Sequence, residues 1–339
     1  MSSEIDIRIS DNHQDIGYDR WEKFVCNHPQ GNFFQSPRLH HFLQSLPGYK
    51  SYLVTAWQNQ ELVGLFQAFS QKEGNGIKGY LSRRTIVYGG PLTIVKDGDV
   101  IARLLIHAFH RGNDSLYTEF RNLCDLSHYK DAFIGEGYRY QPHLNYIVDV
   151  QGNQQQVLQL LNSTKRRQVR KSLRNGAEII LARSKSDVRG FYDILKKLYR
   201  HKVKKPLPPW QFFEGFYDSS NLGVYLLVLY KQQIVGGIMC PVYDQTLYEW
   251  YVGGEDGVYS NIYPSVLATY AALQYVSEKG YRYFDFLGAG QPGRDYGVRQ
   301  FKSQFGGREV EYGRFLRINK PLLYRAGKLG YQVSRSLFF

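Results

Sequence analysis

The feature that most limits how this chain can fold is that one long pattern occurs in it twice. Residues 53–68, LVTAWQNQELVGLFQA, are two apolar runs around the polar turn Gln58-Asn59-Gln60, and residues 225–240, YLLVLYKQQIVGGIMC, have the same form around Lys231-Gln232-Gln233. Gln60 falls on Gln232, Val63 on Val235 and Gly64 on Gly236. Short apolar runs flanking a polar turn predict a β-hairpin. Each hairpin is followed by an aromatic-flanked glycine pair, Tyr88-Gly89-Gly90 and Tyr251-Val252-Gly253-Gly254, and then by a helical pattern ending in glycine, residues 99–112 and 264–280. In the second helix Val266, Tyr270, Leu273 and Val276 share a face, Pro264 suits the first turn and Gly280 the position past the end. An alternating strand follows each glycine, at 115–120 and 281–287, with Glu119 and Asp285 at equivalent points. A unit that recurs after about 170 residues indicates a duplicated domain, since solenoid repeats are shorter.

Helical patterns lead into each copy. Residues 20–46 open the first, and in the second Val188, Phe191, Leu195 and Leu198 lie at helical spacing with Ser186 or Asp187 as the cap. Helices, an antiparallel meander, a further helix and a strand make an α+β layer fold. The expected domains are 1–150 and 151–315, joined where NYIVDVQGNQQQ turns polar, with 316–339 returning to the first. Pro206, Pro208 and Pro209 predict a helix-free loop inside the second copy.

The 339 residues suffice for two cores, and an excess of 43 Lys+Arg over 30 Asp+Glu gives a net charge of +13. Such an excess suits polyanionic partners: nucleic acid, lipid headgroups or nucleotide diphosphates. Cys26, Cys124 and Cys240 are odd in number, far apart and in apolar surroundings, which predicts buried, inert thiols without a disulfide or zinc framework. None of the nine histidines falls in a triad or HExxH pattern, so no metal site is expected. The first residues, MSSEIDIRIS, lack a signal-peptide pattern, and no apolar run approaches the roughly 20 residues a membrane span needs. The expected location is the cytoplasm, with contact at the inner face of the membrane as the further option.

The densest stretch of candidate functional residues is FDFLGAGQPGRDYGVRQFKSQFGG, residues 284–307. Together with the doubled scaffold, it resembles the FemABX family of peptidoglycan interpeptide-bridge aminoacyltransferases, over nearly the whole chain from GNFFQSP to FGGREVEYGRF. The resemblance implies two tandem acetyltransferase (GNAT)-like domains, each a mixed, mostly antiparallel sheet with flanking helices. It implies transfer of an amino acid from charged tRNA to an amine on a peptidoglycan precursor, lipid-linked or UDP-linked, with no cofactor. Residues 183–222 are too short for the helical-hairpin arm of some members, which points to the armless branch. The wider acetyltransferase superfamily binds coenzyme A through an Arg/Gln-x-x-Gly-x-Gly/Ala loop, and residues 253–266, GGEDGVYSNIYPSV, lack that pattern.

Aminoacyl transfer to an amine needs an unprotonated amine, a carbonyl held near it and stabilisation of the oxyanion. The resemblance places Lys302, in the Phe301-Lys302 pair, by the reacting groups as that stabilising cation. Phe305 is expected as an apolar wall, a stacking face for the terminal adenine of tRNA, or a core aromatic. Tyr296 and Arg299 are expected at a phosphate or the ester oxygen. Asp285, on the strand feeding the loop, is expected to take up the proton, to orient the amine, or only to bond backbone or a nearby Arg, with Glu249 as a weaker parallel and Tyr251 lining the cleft. In STKRRQVRKSLRNG, residues 163–176, Arg166, Arg170 and Arg174 align at four-residue spacing with Arg167 and Lys171 alongside. Such a face predicts a pyrophosphate or tRNA-backbone contact, with Ser163 as the cap. The family's basic residue in the first domain points to Arg38.

Two other readings remain open at this level. One keeps the fold and takes an acyl-CoA or carrier-protein thioester as donor for a lipid or polysaccharide amine. The other is a non-catalytic protein that binds nucleic acid or a membrane surface. The oligomeric state is not legible.

Overall fold

A computed structural model describes residues 4–72, 76–94 and 98–327. The chain forms two compact units, one comprising the residues up to Pro142 together with those from Tyr312 on, the other His143–Glu311.

In the first unit the strands run Ile5–Ser10, Tyr49–Gln58, Glu61–Gln71, Arg84–Tyr88, Tyr117–Arg121, Arg314–Ile318, Arg139–Gln141 across one sheet, with Leu92–Thr93 also on Glu61–Gln71. The second unit repeats that order: Glu178–Leu181, Gly223–Tyr230, Gln233–Tyr243, Thr246–Tyr248, Tyr283–Asp285, Leu144–Asp149, Arg308–Glu311, with Tyr251–Gly254 on Gln233–Tyr243. All neighbours are antiparallel except one parallel pair in each sheet, Arg84–Tyr88 with Tyr117–Arg121 and Thr246–Tyr248 with Tyr283–Asp285.

The duplication extends to backbone detail. Both hairpins close through two-residue turns with positive φ at both positions, Asn59 (51°) and Gln60 (66°), then Lys231 (49°) and Gln232 (63°). That geometry matches the right-handed twist of the strands it joins. Both carry a bulge at the same place, between Ala56 and Trp57 and between Val228 and Leu229. Gly64 and Gly236 each let a helix cross close to the sheet. An added Cβ would lie 2.8 Å from Ile101 Cγ2 in the first unit and 2.8 Å from Pro264 Cβ in the second.

Each core lies between sheet and helices. Phe66, Phe109, Phe120, Phe133 and Tyr138 interlock edge to face in the first unit, and Phe315 stacks on Phe133 at 4.0 Å. In the second, the helix Pro264–Glu278 is apolar on nearly every side and is wrapped by core side chains from Val148 to Phe305.

Four boundaries differ from the sequence reading. Leu144–Asp149 belongs to the second sheet, so the units divide at 142/143 and not at 150. The cap of Lys185–Leu198 is Ser184, whose side chain accepts from Asp187 N–H in a reciprocal capping box. The cap of Ser163–Arg174 is Asn162, whose side-chain oxygen accepts from Lys165 N–H. The segment returning to the first unit begins at Tyr312 and not at 316, and is described to residue 327: Arg314–Ile318 pairs with Tyr117–Arg121 and Arg139–Gln141, and Lys320 bonds Asp114. Residues 328–339 of the expected returning segment lie outside the described residues. Of the three cysteines expected to be buried, Cys240 is, Cys124 is half-buried and Cys26 is exposed.

Candidate active site

In the second unit the parallel strands Thr246–Tyr248 and Tyr283–Asp285 keep register for three residues. One further bond, Glu249 N–H to Asp285 O at 2.8 Å, closes the ladder. Beyond it the strands part. One turns onto Gln233–Tyr243, where Trp250 N–H meets Met239 O, and the other enters the glycine-rich loop after Phe286. The side chains at this fork are Glu249, Asp285 and Lys302, all buried.

Lys302 is not the free cation that the sequence suggests. Its ammonium pairs with Glu249 Oε1 at 2.8 Å and donates to Phe286 O at 2.7 Å and Gly288 O at 2.9 Å. An ammonium has three protons, and these three acceptors use them all. Between the two carbonyls the backbone is forced left-handed, at Leu287 (φ 54°) and Gly288 (φ 129°). Lys302 therefore holds a strained loop in place, helped by Asp285 Oδ1, which accepts from Leu287 N–H at 2.6 Å, and Asn145 Oδ1, which accepts from Gly288 N–H at 2.7 Å.

The two carboxylates differ in what is left to them. Asp285 Oδ1 also accepts from Asn145 Nδ2 at 2.7 Å, which commits it to loop support. Glu249 Oε2 is buried and has no hydrogen-bond partner among the described residues. Burial raises the pKa of both groups; Lys302 partly offsets the effect at Glu249, and hydrogen bonds with Asn145 and Leu287 at Asp285. Glu249 thus keeps a buried carboxylate oxygen without a partner, while the bonds that support the loop fall on Asp285 Oδ1.

The other candidates are placed as follows. Arg299 donates to Ala289 O at 3.2 Å and to Gln291 O, so its guanidinium braces the same loop. Tyr296 is 41 % exposed and packs over Gly290. Phe305 is 0 % exposed within the core, which leaves it no face for a base to stack on. Phe301 is half-buried beside it, with ring centroids 5.0 Å apart. Tyr251 packs against Phe212, Phe213, Tyr199 and Trp250. Arg38, in the first unit, donates to Glu22 Oε1 at 2.5 Å.

The basic helix Ser163–Arg174 packs through Lys171 Nζ, which donates to Asn261 Oδ1 at 2.7 Å, and through Ser172, which donates to Ile262 O. Arg167 and Arg170 are exposed, while Arg166 turns back to donate to Leu161 O at 3.0 Å. Lys165 was not singled out in the sequence. Its ammonium sits 4.5 Å from the centroid of Phe301 and 6.0 Å from that of Phe305, and the residue is 8 % exposed. The motif STKRRQ contains it, but its ring partners lie 136 and 140 positions later, beyond any local pattern.

A GNAT-type scaffold implies coenzyme A, whose pyrophosphate would need the free N–H groups of a helix start. The residues here do not fit it. Ahead of Pro264–Glu278, Asp256 Oδ1 already accepts from Ser265 N–H at 3.0 Å and Asp256 Oδ2 accepts from Ser265 Oγ at 2.5 Å, while Pro264 has no N–H. Glu255 adds a second carboxylate, paired with Lys197 at 2.9 Å. Among the described residues no group of three or more His, Cys, Asp and Glu side chains is arranged to hold a metal ion.

A family model for the acetyltransferase (GNAT) domain matches residues 163–303, within the second unit. In structure the chain is similar to FemX, at 14 % identity over 92 % of this chain and 98 % of that one, with a TM-score of 0.69. It is also similar to L-PGS from Bacillus licheniformis (15 % identity, 93 % and 97 % covered, TM-score 0.57). A tandem GNAT protein from the clavulanic acid biosynthesis pathway is similar at 9 % identity, 93 % and 99 % covered, with a TM-score of 0.57. No curated protein sequence matches the chain. The fold is α+β, two tandem GNAT-like domains, each a mixed, mostly antiparallel sheet with flanking helices. Among the described residues no helix is long and apolar enough to cross a membrane.

Proposed function

We propose that this protein is an acyltransferase that moves an aminoacyl group from aminoacyl-tRNA to an amine on a peptidoglycan precursor peptide, with the chemistry at the fork of the second unit. The observation that carries this reading is the buried Glu249 carboxylate, with one oxygen unpartnered, where two parallel strands separate. The acceptor amine attacks the ester carbonyl; a C–N bond forms, the C–O bond to the ribose breaks, and the amine's proton passes through Glu249 Oε2 to the departing ribose oxygen. A buried carboxylate whose pKa is raised is a better base than one in water. Lys302 keeps that carboxylate oriented and the adjoining loop in place. No covalent intermediate is needed, because the ester is already activated.

The donor and acceptor follow from three supports. The closing motif resembles that of the FemABX family, and the fold is shared with FemX and L-PGS. The net charge of +13 and the exposed Arg167 and Arg170 suit a nucleic-acid donor and a phosphorylated acceptor. The self-capped helix at Ser265 argues against a coenzyme A thioester. Charged tRNA places the reaction in the cytoplasm, and a lipid-linked acceptor would bring the protein to the inner membrane surface. The test supplies the purified protein with mixed charged tRNAs and UDP- or lipid-linked pentapeptide, and weighs the precursor. A gain of one amino-acid residue is expected. No gain with any pairing, together with acetylation from acetyl-CoA, would overturn the reading.

A further inference from the structure

We infer that the first unit carries a surface that docks on an anionic lipid bilayer, formed where the helix Gly76–Ser82 meets the helical residues 321–327. What the docking serves, access to a lipid-linked acceptor, rests on the acyl-transfer reading above; the surface itself does not. The two segments are far apart in sequence and meet in the fold. Lys320 Nζ donates to Tyr80 OH at 3.1 Å, and a Cβ added at Gly327 would lie 3.2 Å from Leu81 O. Asn319 N–H and Lys320 N–H donate to Leu116 O at 2.8 and 3.1 Å, and Tyr324 N–H to Lys320 O at 2.9 Å closes the first helical turn. The Tyr324 ring meets Tyr117 edge to face, with centroids 5.6 Å apart. Lys320, Tyr324 and Gly327 are spaced by four and three residues, so a single face of this helix is turned to the unit. Leu322, Arg325 and Ala326 stand on the opposite face, and all three are exposed, Leu322 at 79 %.

The charge of these segments names the partner. Residues 76–84 and 320–327 contain Lys78, Arg83, Arg84, Lys320 and Arg325 and no Asp or Glu. A carboxylate from outside them, Asp114, pairs with Arg83 at 3.0 Å and with Lys320, and the excess remains positive. Beside the cations Tyr80 is 40 % exposed and Leu322 lies almost wholly in water. A lone exposed leucine is ordinary. A leucine and a tyrosine exposed on two basic segments packed together have the composition of an interfacial face: the leucine enters the acyl boundary, the tyrosine sits at headgroup level and Lys and Arg meet the lipid phosphates. A nucleic-acid backbone would meet the cations and leave Leu322 in water. A second copy of the chain, docked by the same face, would set like charges against each other. An anionic bilayer answers both halves of the surface. Among the described residues no helix is long and apolar enough to cross a membrane, so the contact is one of lying on the bilayer.

The test sediments the full-length protein with vesicles of phosphatidylcholine, alone or with added phosphatidylserine. Wild type should partition onto the mixed vesicles and stay in solution with phosphatidylcholine alone. Leu322→Asp should lower that partition about 10-fold or more, and Arg325→Gln about five-fold, both at unchanged Tm because both side chains are exposed. A wild type that binds neither vesicle would overturn the inference, as would Leu322→Asp partitioning like wild type. Loss of tRNA binding, or of a dimer in sedimentation velocity, in Leu322→Asp with no vesicle binding by wild type would give the surface to nucleic acid or to a second copy and overturn it equally. With the precursor embedded in the mixed vesicles, Leu322→Asp should raise KM about five-fold or more at unchanged kcat and leave transfer to UDP-linked precursor as in wild type. Equal losses with the two acceptors would contradict the assignment. Vesicle binding that depends on Leu322, in a protein inactive with every donor and acceptor, would bring down the acyl-transfer reading and leave the surface standing.

Discussion

Glu119 and Asp285 occupy the same place in the two halves of this molecule, on the second strand of the parallel pair, yet their surroundings are opposed. Glu119 is gripped by Arg121 at 2.6 Å and Arg314 at 3.1 Å. Burial alone would raise its pKa, but the two guanidinium groups outweigh burial and bring it to about 2. Asp285 has an amide and a backbone N–H for partners, and burial holds its pKa up. The strands around them differ in the same way. Arg84–Tyr88 and Tyr117–Arg121 stay paired over five residues, and Gly89 N–H to Arg121 O at 2.9 Å continues the ladder. In the second unit the pair stops after three residues and one further bond. If the registers are superposed with Glu119 on Asp285, buried Val87 stands where Glu249 does. The first copy has closed its fork and paired its carboxylate. The second keeps an open fork and two buried carboxylates with raised pKa values, which is costly for stability and characteristic of a site under functional demand.

The contrast can be broken most forcefully at Lys302. Replacing it with Met leaves Glu249 buried without its counter-ion, and a loss of about 3–5 kcal/mol is expected in denaturant unfolding at neutral pH. The sign of the pH dependence follows from the direction of the shift. Without Lys302 the folded-state pKa of Glu249 lies further above its unfolded value, so the folded protein binds more protons across that window and gains stability as pH falls. The deficit of the variant against wild type should therefore shrink on acidification. A deficit independent of pH would show that Lys302 serves the loop carbonyls alone.

A smaller effect sharpens the comparison at the duplicated glycines. Gly64→Ala and Gly236→Ala each drive a Cβ to 2.8 Å from a helix side chain, with an expected cost of about 1–3 kcal/mol. The second should cost more. Both glycines have a backbone oxygen nearby, Leu92 O at 3.3 Å and Gly253 O at 3.2 Å, but the closest contact is the movable Cγ2 methyl of Ile101 in the first and the rigid Pro264 ring in the second. Equal losses in thermal or denaturant unfolding would contradict that difference.

The hairpins, the crossing helices and the duplication were legible because they rest on local order: an alternation of period two, a polar turn, a proline at a helix start and a glycine that must stay small. The division at 142/143 was not legible. Leu144–Asp149 reads as a strand in either copy, and which sheet it joins is decided by pairing with Tyr283–Asp285 and Arg308–Glu311 far along the chain. The contacts that the candidate site residues make were not legible. The stretch 284–307 drew attention through its aromatic and basic residues, but whether a lysine is spent depends on acceptors elsewhere. Glu249 reaches Lys302 from 53 positions away, and the acceptors that complete the count are backbone carbonyls, invisible in side-chain chemistry.

The claim that the work of this protein is done by the open fork, and not by its closed counterpart, is tested most directly by comparing Glu249→Gln with Glu119→Gln for transfer per folded molecule. Glu249→Gln should lower kcat by about 100-fold or more while Glu119→Gln stays within about three-fold of wild type. Full transfer by Glu249→Gln, with loss in Glu119→Gln, would place the chemistry in the wrong half and contradict the account.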